Sequence, residues 1–200
     1  IVVLPFDNMS PEEKDAYFAD GLTEEIITKL SHIRSLRVIS RSSAYALKSR
    51  EEDARTIGKE LDVQYVLEGS VRRAGNDLLV TAQLIDAKAD EHLWAKKYDG
   101  VLEDVFSIQE ELSHAIVEGL SLSLSTEEEE RLTDRPIEDV QAYECYLMAW
   151  REICHTNSEG LERGHRYLRR GLDLVGENVV LLRGLAEMHL QAYESGVKAD

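Results

Sequence analysis

The stretch Val63-Gln64-Tyr65-Val66-Leu67-Glu68-Gly69-Ser70-Val71-Arg72, with Gly75-Asn76-Asp77 and the run Leu78 to Ile85 behind it, decides the fold. Val63, Tyr65, Leu67 and Val71 alternate with Gln64, Glu68, Ser70 and Arg72, the period of two of a strand with one buried face. Gly-Asn-Asp is turn chemistry, so the two runs read as a β-hairpin. A second polar turn at Ala87 to Glu91 leads into a third meander strand, His92 to Tyr98.

Working outward, Ile1 to Phe6 reads as a buried strand closed by Pro5. Ser10, Pro11 and Glu13 mark a helix start, with a capping serine, a proline suited to the first helical position and a glutamate that can close a capping box. Leu22, Ile26, Ile27, Leu30 and Ile33 form an amphipathic stripe, and Gly21 is expected to break this region into two helical pieces. Leu36, Val38 and Ile39 read as a second strand, and Asp53 to Leu61 as a short helix capped by Asp53. Beyond the meander, Asp104 to Leu124 reads as a long helix. The order β-α-β-α-β-β-β-α implies an α+β domain, a mixed sheet with helices mainly on one face. It spans residues 1–125. Residues 126–136 read as an acidic linker, where Pro136 disfavours helix, and 137–200 as all-α.

The formal charge of −16 would repel a phosphate backbone, so nucleic acid is not an expected partner. The run Glu127 to Glu130 reads as a solvated helix end or linker. Cys145 and Cys154, about 13 Å apart if they share one helix, are not expected to pair. No CxxC and no metal-spaced histidine pair appears, so neither zinc nor another cofactor is expected. Aliphatic runs such as Val179 to Leu182 fall far short of the roughly 20 residues of a membrane span. The chain begins inside an apolar run and reads as a fragment of a longer protein. The expected compartment is the cytoplasm, or the periplasm if a span precedes Ile1.

Near the C-terminus the sequence echoes itself. Gly164, Leu168, Gly171 and Gly176 fit helix-B positions 20, 24, 27 and 32 of a 34-residue tetratricopeptide template, and Leu182, Leu185, Ala186 and His189 fit helix-A positions 4, 7, 8 and 11 of the next unit. Cys145, Met148 and Ala149 fit the first helix A in a shifted frame, which places an insertion around His155 to Gly160. Such repeats stack and rely on their neighbours. The face including Leu182 and Leu185 is therefore expected to lack partners and to serve as an interface. Val180, Arg183, Glu187 and Leu190 are the candidate partner-binding positions.

The blocks Val3-Leu4-Pro5-Phe6, Phe18-Ala19-Asp20-Gly21-Leu22-Thr23-Glu24-Glu25, Leu67-Glu68-Gly69-Ser70-Val71-Arg72 and Ala82-Gln83-Leu84-Ile85-Asp86, followed by His92-Leu93-Trp94-Ala95, together resemble the TolB-like N-terminal domain family of bacterial signalling proteins, here followed by tetratricopeptide repeats. That resemblance implies a small α/β domain related to that of TolB, accessory to a serine/threonine kinase, a class III adenylate cyclase or a winged-helix activator. It implies no catalytic residues.

Chemistry in the residues themselves is sparse. Asp20, Glu24 and Glu25 read as a helix N-terminus, where acids meet the dipole. Glu68-Gly69-Ser70 lacks the Gly-x-Ser-x-Gly elbow and reads as a strand whose glycine permits a bulge or close packing under a helix. His92 and Trp94 are expected on one strand face, packed against a helix or partner, and His189 at a packing position. No catalytic, cofactor or metal residue is expected. The function that follows is a non-enzymatic regulatory and protein-interaction module, binding a protein partner or self-associating as a homodimer beside an effector domain. The alternative is a small-ligand sensor controlling that effector.

Overall fold

In the computed structural model, residues 1–12, 15–48, 50, 52–154 and 158–194 are described. They fall into two compact units, Ile1–Asp134 and Arg135–Asp200.

The hairpin organises the first unit. β3 (Tyr65–Ala74) and β4 (Asp77–Asp86) pair antiparallel from Tyr65↔Asp86 to Ala74↔Asp77. Gly75 stands in the turn at φ +63°, the left-handed conformation that a glycine-led two-residue hairpin turn demands. β5 (Glu91–Val101) adds antiparallel to β4 with a register shift between Leu84 and Ile85. On the other side β1 (Val2–Val3) and β2 (Asp7–Asn8) both run parallel to β3. The strand expected to close at Pro5 resumes after it. Pro5 cannot donate to the ladder, and pairing slips by one residue, from Val3↔Leu67 to Asp7↔Ser70.

One sheet face is packed by α1 (Ala16–Ser31) and α4 (Val105–Gly119). Phe18, Leu22, Ile26, Leu30, Leu112 and Ile116 close over Leu67, Val80 and Leu84, all essentially without solvent contact. Full burial of each such side chain contributes about 1.5–3 kcal/mol. The buried Thr23 hydroxyl accepts from the Phe6 amide at 3.0 Å and donates to the Ala19 carbonyl at 2.8 Å, so it leaves no unmet polar group in this layer. The opposite face is covered only at one end, where α2 (Arg41–Tyr45), the turn after it and α3 (Ala54–Glu60) set Ala44, Leu47 and Ile57 against Val2, Val66 and Ala87. α3 begins as expected, with the Asp53 carboxylate accepting from the Thr56 amide at 2.7 Å.

Several local expectations are corrected. α1 begins at Ala16 and runs unbroken through Gly21. Ser10 does not cap it; the Ser10 hydroxyl accepts from the Arg73 amide at 3.0 Å, tying the loop to the sheet. Glu13 lies outside the described residues. Leu36, Val38 and Ile39 form no ladder strand; this segment is held to the chain start by the Ile39 amide on the Ile1 carbonyl (2.9 Å) and the Ile1 amine on the Arg37 carbonyl (2.7 Å). α4 stops at Gly119, with Ser121 at φ +52° behind it. Residues Thr126–Thr133, inside the expected linker, form α5, with a capping box between Ser125 and Glu128. The buried Lys29 ammonium donates to the carbonyls of Leu132 (2.5 Å) and Asp134 (3.0 Å), holding the end of α5.

The described elements of the second unit are all helices: α6 (Val140–Cys154), α7 (Ser158–Val175) and α8 (Val179–Glu194). Gly164 faces Met188, Leu168 faces Gly184 and Gly171 faces Leu181, so α7 and α8 run antiparallel with small residues set against large ones. Gly164 also approaches Glu152 and Gly171 approaches Ala142, so α6 and α7 are antiparallel as well. Gly176 at φ +76° ends α7. The Asn178 side chain starts α8 by accepting from the Val180 amide at 3.0 Å. The insertion expected around His155 to Gly160 falls partly outside the described residues, and 158–160 are already helical.

Candidate functional site

The meander leaves half of one sheet face polar and open. Cross-strand pairing brings Glu68 to Gln83 and Ser70 to Thr81, and then Gln83 to Ala95 and Thr81 to Lys97. The Gln83 amide donates to Glu68, and the Ser70 and Thr81 hydroxyls are bonded at 2.6 Å. These polar side chains share one face because a strand alternates, and the same alternation sends Leu67, Val71, Val80 and Leu84 into the core. The floor belongs to a cleft of about 680 Å³ walled by Leu4 and Met9 on one side and Leu47, Arg50 and Ile57 on the other.

Gly69 sits at the centre of β3 with no bulge in its register. A Cβ there would meet the Phe6 ring at 2.9 Å and would collide with the Thr81 carbonyl. The close packing expected at Gly69 is present, but its cover is the Phe6 ring from the β1–β2 connection rather than a helix.

Charges gather around the cleft. Arg50 bridges Glu52 and Glu60 at 2.5 and 2.7 Å, and both carboxylates push its guanidinium pKa further up. Lys48 meets Asp20 at 2.8 Å and Arg41 meets Glu24 at 3.0 Å, while the Arg41 guanidinium lies 4.2 Å from the centre of the Tyr45 ring. Asp20, Glu24 and Glu25 thus lie within α1 rather than at its N-terminus, and two of them dock α2 and the residues following it. Burial pushes the Glu24 carboxyl up, against the pull of Arg41. Burial pushes Glu25 up to about 6, with Lys29 opposing and Glu24 adding. Burial, and then Asp20, raises the Tyr45 phenol.

The expectation that His92 and Trp94 share a face is corrected. The register shift sets Trp94 opposite Leu84 and His92 opposite Ile85, leaving Leu93 as the extra residue of a bulge, and one inserted residue reverses the alternation. His92 is exposed. Trp94 packs on α4, where a Cβ at Gly119 would lie 2.5 Å from its Nε1.

The candidate positions on α8 are divided by the packing. Leu185 and Met188 are buried, whereas Leu182 is 45% and Leu190 58% exposed. Of the two expected interface positions, Leu182 is open to solvent and Leu185 is already covered. Arg183 is bonded to Glu187 at 2.9 Å, and Val180 is half-buried. Val179 (81% exposed) and Tyr193 (84%) extend the stripe of Leu182 and Leu190, and sequence reasoning missed both, although their helical spacing was available. His189 is exposed and meets the His165 ring edge-on at 5.3 Å between centroids. Cys145 is a buried free thiol, and the Cys154 side chain lies outside those described. Among the described residues, no group of three or more His, Cys, Asp or Glu could hold a metal ion, and no helix is long and apolar enough to cross a membrane.

The chain is 45% identical over 174 residues to putative adenylate cyclase 3 of Rhizobium meliloti (strain 1021), covering 87% of this chain and 30% of that relative. The chain therefore spans about a third of the length of the curated relative it matches. Among solved structures, lipoprotein GNA1162 from Neisseria meningitidis superposes with a TM-score of 0.43 at 17% identity, covering 62% of this chain and 97% of that one. TolB from Acinetobacter baumannii superposes with a TM-score of 0.44 at 16% identity, covering 60% and 27%. The model of the HilA/YgeH-like transcriptional regulator second domain matches residues 1–119, more than half of the chain, and the chain belongs to that family.

Proposed function

We propose that this chain is a non-enzymatic regulatory and protein-interaction module of a bacterial signalling protein, whose output comes from a separate domain. One observation carries the reading. Any 174-residue match within 200 residues must take in residues 27–174, so the similarity to a putative adenylate cyclase continues past the family domain into the helical unit. The family, by contrast, is described for transcriptional regulators. A block that accompanies different outputs is expected to serve regulation rather than either chemistry.

Within this reading, residues 1–125 are a TolB-like domain to which α5 adds a docked helix, and 137–200 are the start of a tetratricopeptide array in the cytoplasm. The exposed stripe of Val179, Leu182, Leu190 and Tyr193 supports contact with protein or self-association there, with Val180, Arg183 and Glu187 beside it. In a polypeptide carrying this chain next to a cyclase catalytic domain, deleting the chain should change the cyclase rate while the isolated chain turns over no nucleotide. An unchanged rate, or turnover by the chain alone, refutes the reading.

The small-ligand alternative is favoured by one feature, the polar-floored cleft of about 680 Å³. A thermal-shift screen against nucleotides, sugars and amino acids tests it, since ligand binding to the native state raises its stability.

A further inference from the structure

The sheet ends on β5. Its inner side pairs with β4 from Asp77↔Val101 to Asp86↔Glu91, and among the described residues nothing pairs with its other side. The far edge of the sheet is different, since Ile1 is bonded to the Arg37 and Ile39 backbone. Along β5 every residue except Trp94, Tyr98 and Gly100 is exposed. An edge of this length presents alternate N–H and C=O groups ready to template another strand.

The side chains select what can pair there. Lys96 and Lys97 are adjacent, exposed and on opposite faces of the strand, and among the described residues neither has an acidic partner; the Lys96 ammonium only overhangs the Trp94 ring at 5.9 Å. In a chain of net charge −16 these are two uncompensated cations at the middle of an open edge. A second copy of β5 centred on them would set lysine against lysine, which is unfavourable. A strand with adjacent carboxylates would match both faces at once. On the cleft face Ala95 is small and flanks Lys97, leaving space for the incoming side chains.

We infer that the free edge of β5 receives an extended acidic segment of another protein as an added strand, with Lys96 and Lys97 reading its carboxylates. This gives the regulatory reading a second docking surface and rests on that reading only in requiring a partner.

The test uses the full chain and a fluorescent ten-residue peptide with a central Glu-Glu pair flanked by Val and Thr. Its counterparts are a Lys-Lys version and a version N-methylated at alternate amides. Anisotropy should show binding of the Glu-Glu peptide alone, with slowed amide exchange in β5. The double substitution Lys96→Glu, Lys97→Glu should weaken that peptide by about tenfold or more and transfer preference to the Lys-Lys peptide. Both positions are exposed, and circular dichroism checks that the variant folds. Equal affinity in the reversed variant, retained binding of the methylated peptide, no binding of the Glu-Glu peptide, or self-association abolished by the lysine reversal would each overturn the inference. A partner lost through Leu182→Asp but untouched by the lysine reversal would overturn it while leaving the regulatory reading in place.

Discussion

Replacing Glu25 with glutamine should make the first unit more stable at neutral pH and leave it unchanged in acid. Burial raises the Glu25 carboxyl from 4.5 to about 6. Lys29 opposes the rise, but its ammonium is also committed to the Leu132 and Asp134 carbonyls. A tenfold change in proton affinity corresponds to about 1.36 kcal/mol, so keeping this carboxylate charged in the folded state costs about 2 kcal/mol above pH 6. Between pH 4.5 and 6 the folded chain holds the proton more tightly than the unfolded chain, so the cost is full above pH 6 and gone below pH 4.5. Glutamine keeps the shape without the charge. Urea unfolding followed by Trp94 fluorescence in a Trp150→Phe background, from pH 4 to pH 8, isolates the first unit. The variant should gain up to about 2 kcal/mol at pH 7.5 and nothing at pH 4. No gain at pH 7.5, or a gain that persists in acid, would show that desolvation of Glu25 is not the dominant effect.

Three further outcomes are expected. Gly69→Ala should destabilise the first unit by about 3 kcal/mol, because its Cβ meets the Thr81 carbonyl and the Phe6 ring, neither of which can yield; a urea midpoint within error of the parent would contradict this. Gly164→Ala meets only the flexible end of Met188 and the Glu152 stem, so the gain in helix propensity of about 1 kcal/mol should offset most of the clash, as thermal melts followed by circular dichroism can check. Glu128, held at about 2 by hydrogen bonds from Ser125, Arg34 and the Ser125 hydroxyl, supports the fold fully above pH 4.5 and loses that support as pH falls toward 2, so Glu128→Ala should lower the urea midpoint at pH 7 and converge with the parent in strong acid.

Much of the first unit could be read from side-chain order. The period-two runs on either side of Gly75 became β3 and β4, and Asp53 capped its helix, because both features depend on neighbours within a few residues. The errors arose where distant parts of the chain compete. Ser10 looked like a helix cap, yet its hydroxyl serves the Arg73 amide across the sheet. Leu36 to Ile39 looked like a strand, but β3 pairs with β1 and β2, leaving that segment only two bonds to Ile1. Residues 126–133 looked like a linker, yet their helix is fixed by Glu128 receiving the Arg34 amide and by Lys29 holding its far end.

The same division applies to the surfaces. Sequence alone determined that the hairpin strands would alternate apolar and polar side chains and that the elements described beyond residue 137 would be helices, because periodicity is written locally in the chain. Only the tertiary structure decided which strand stands at the edge, that one bulge at Leu93 separates His92 from Trp94, and that Leu185 is covered while Leu182 is not. Those outcomes depend on which distant backbone and side-chain atoms reach a given surface first, and no local pattern encodes that.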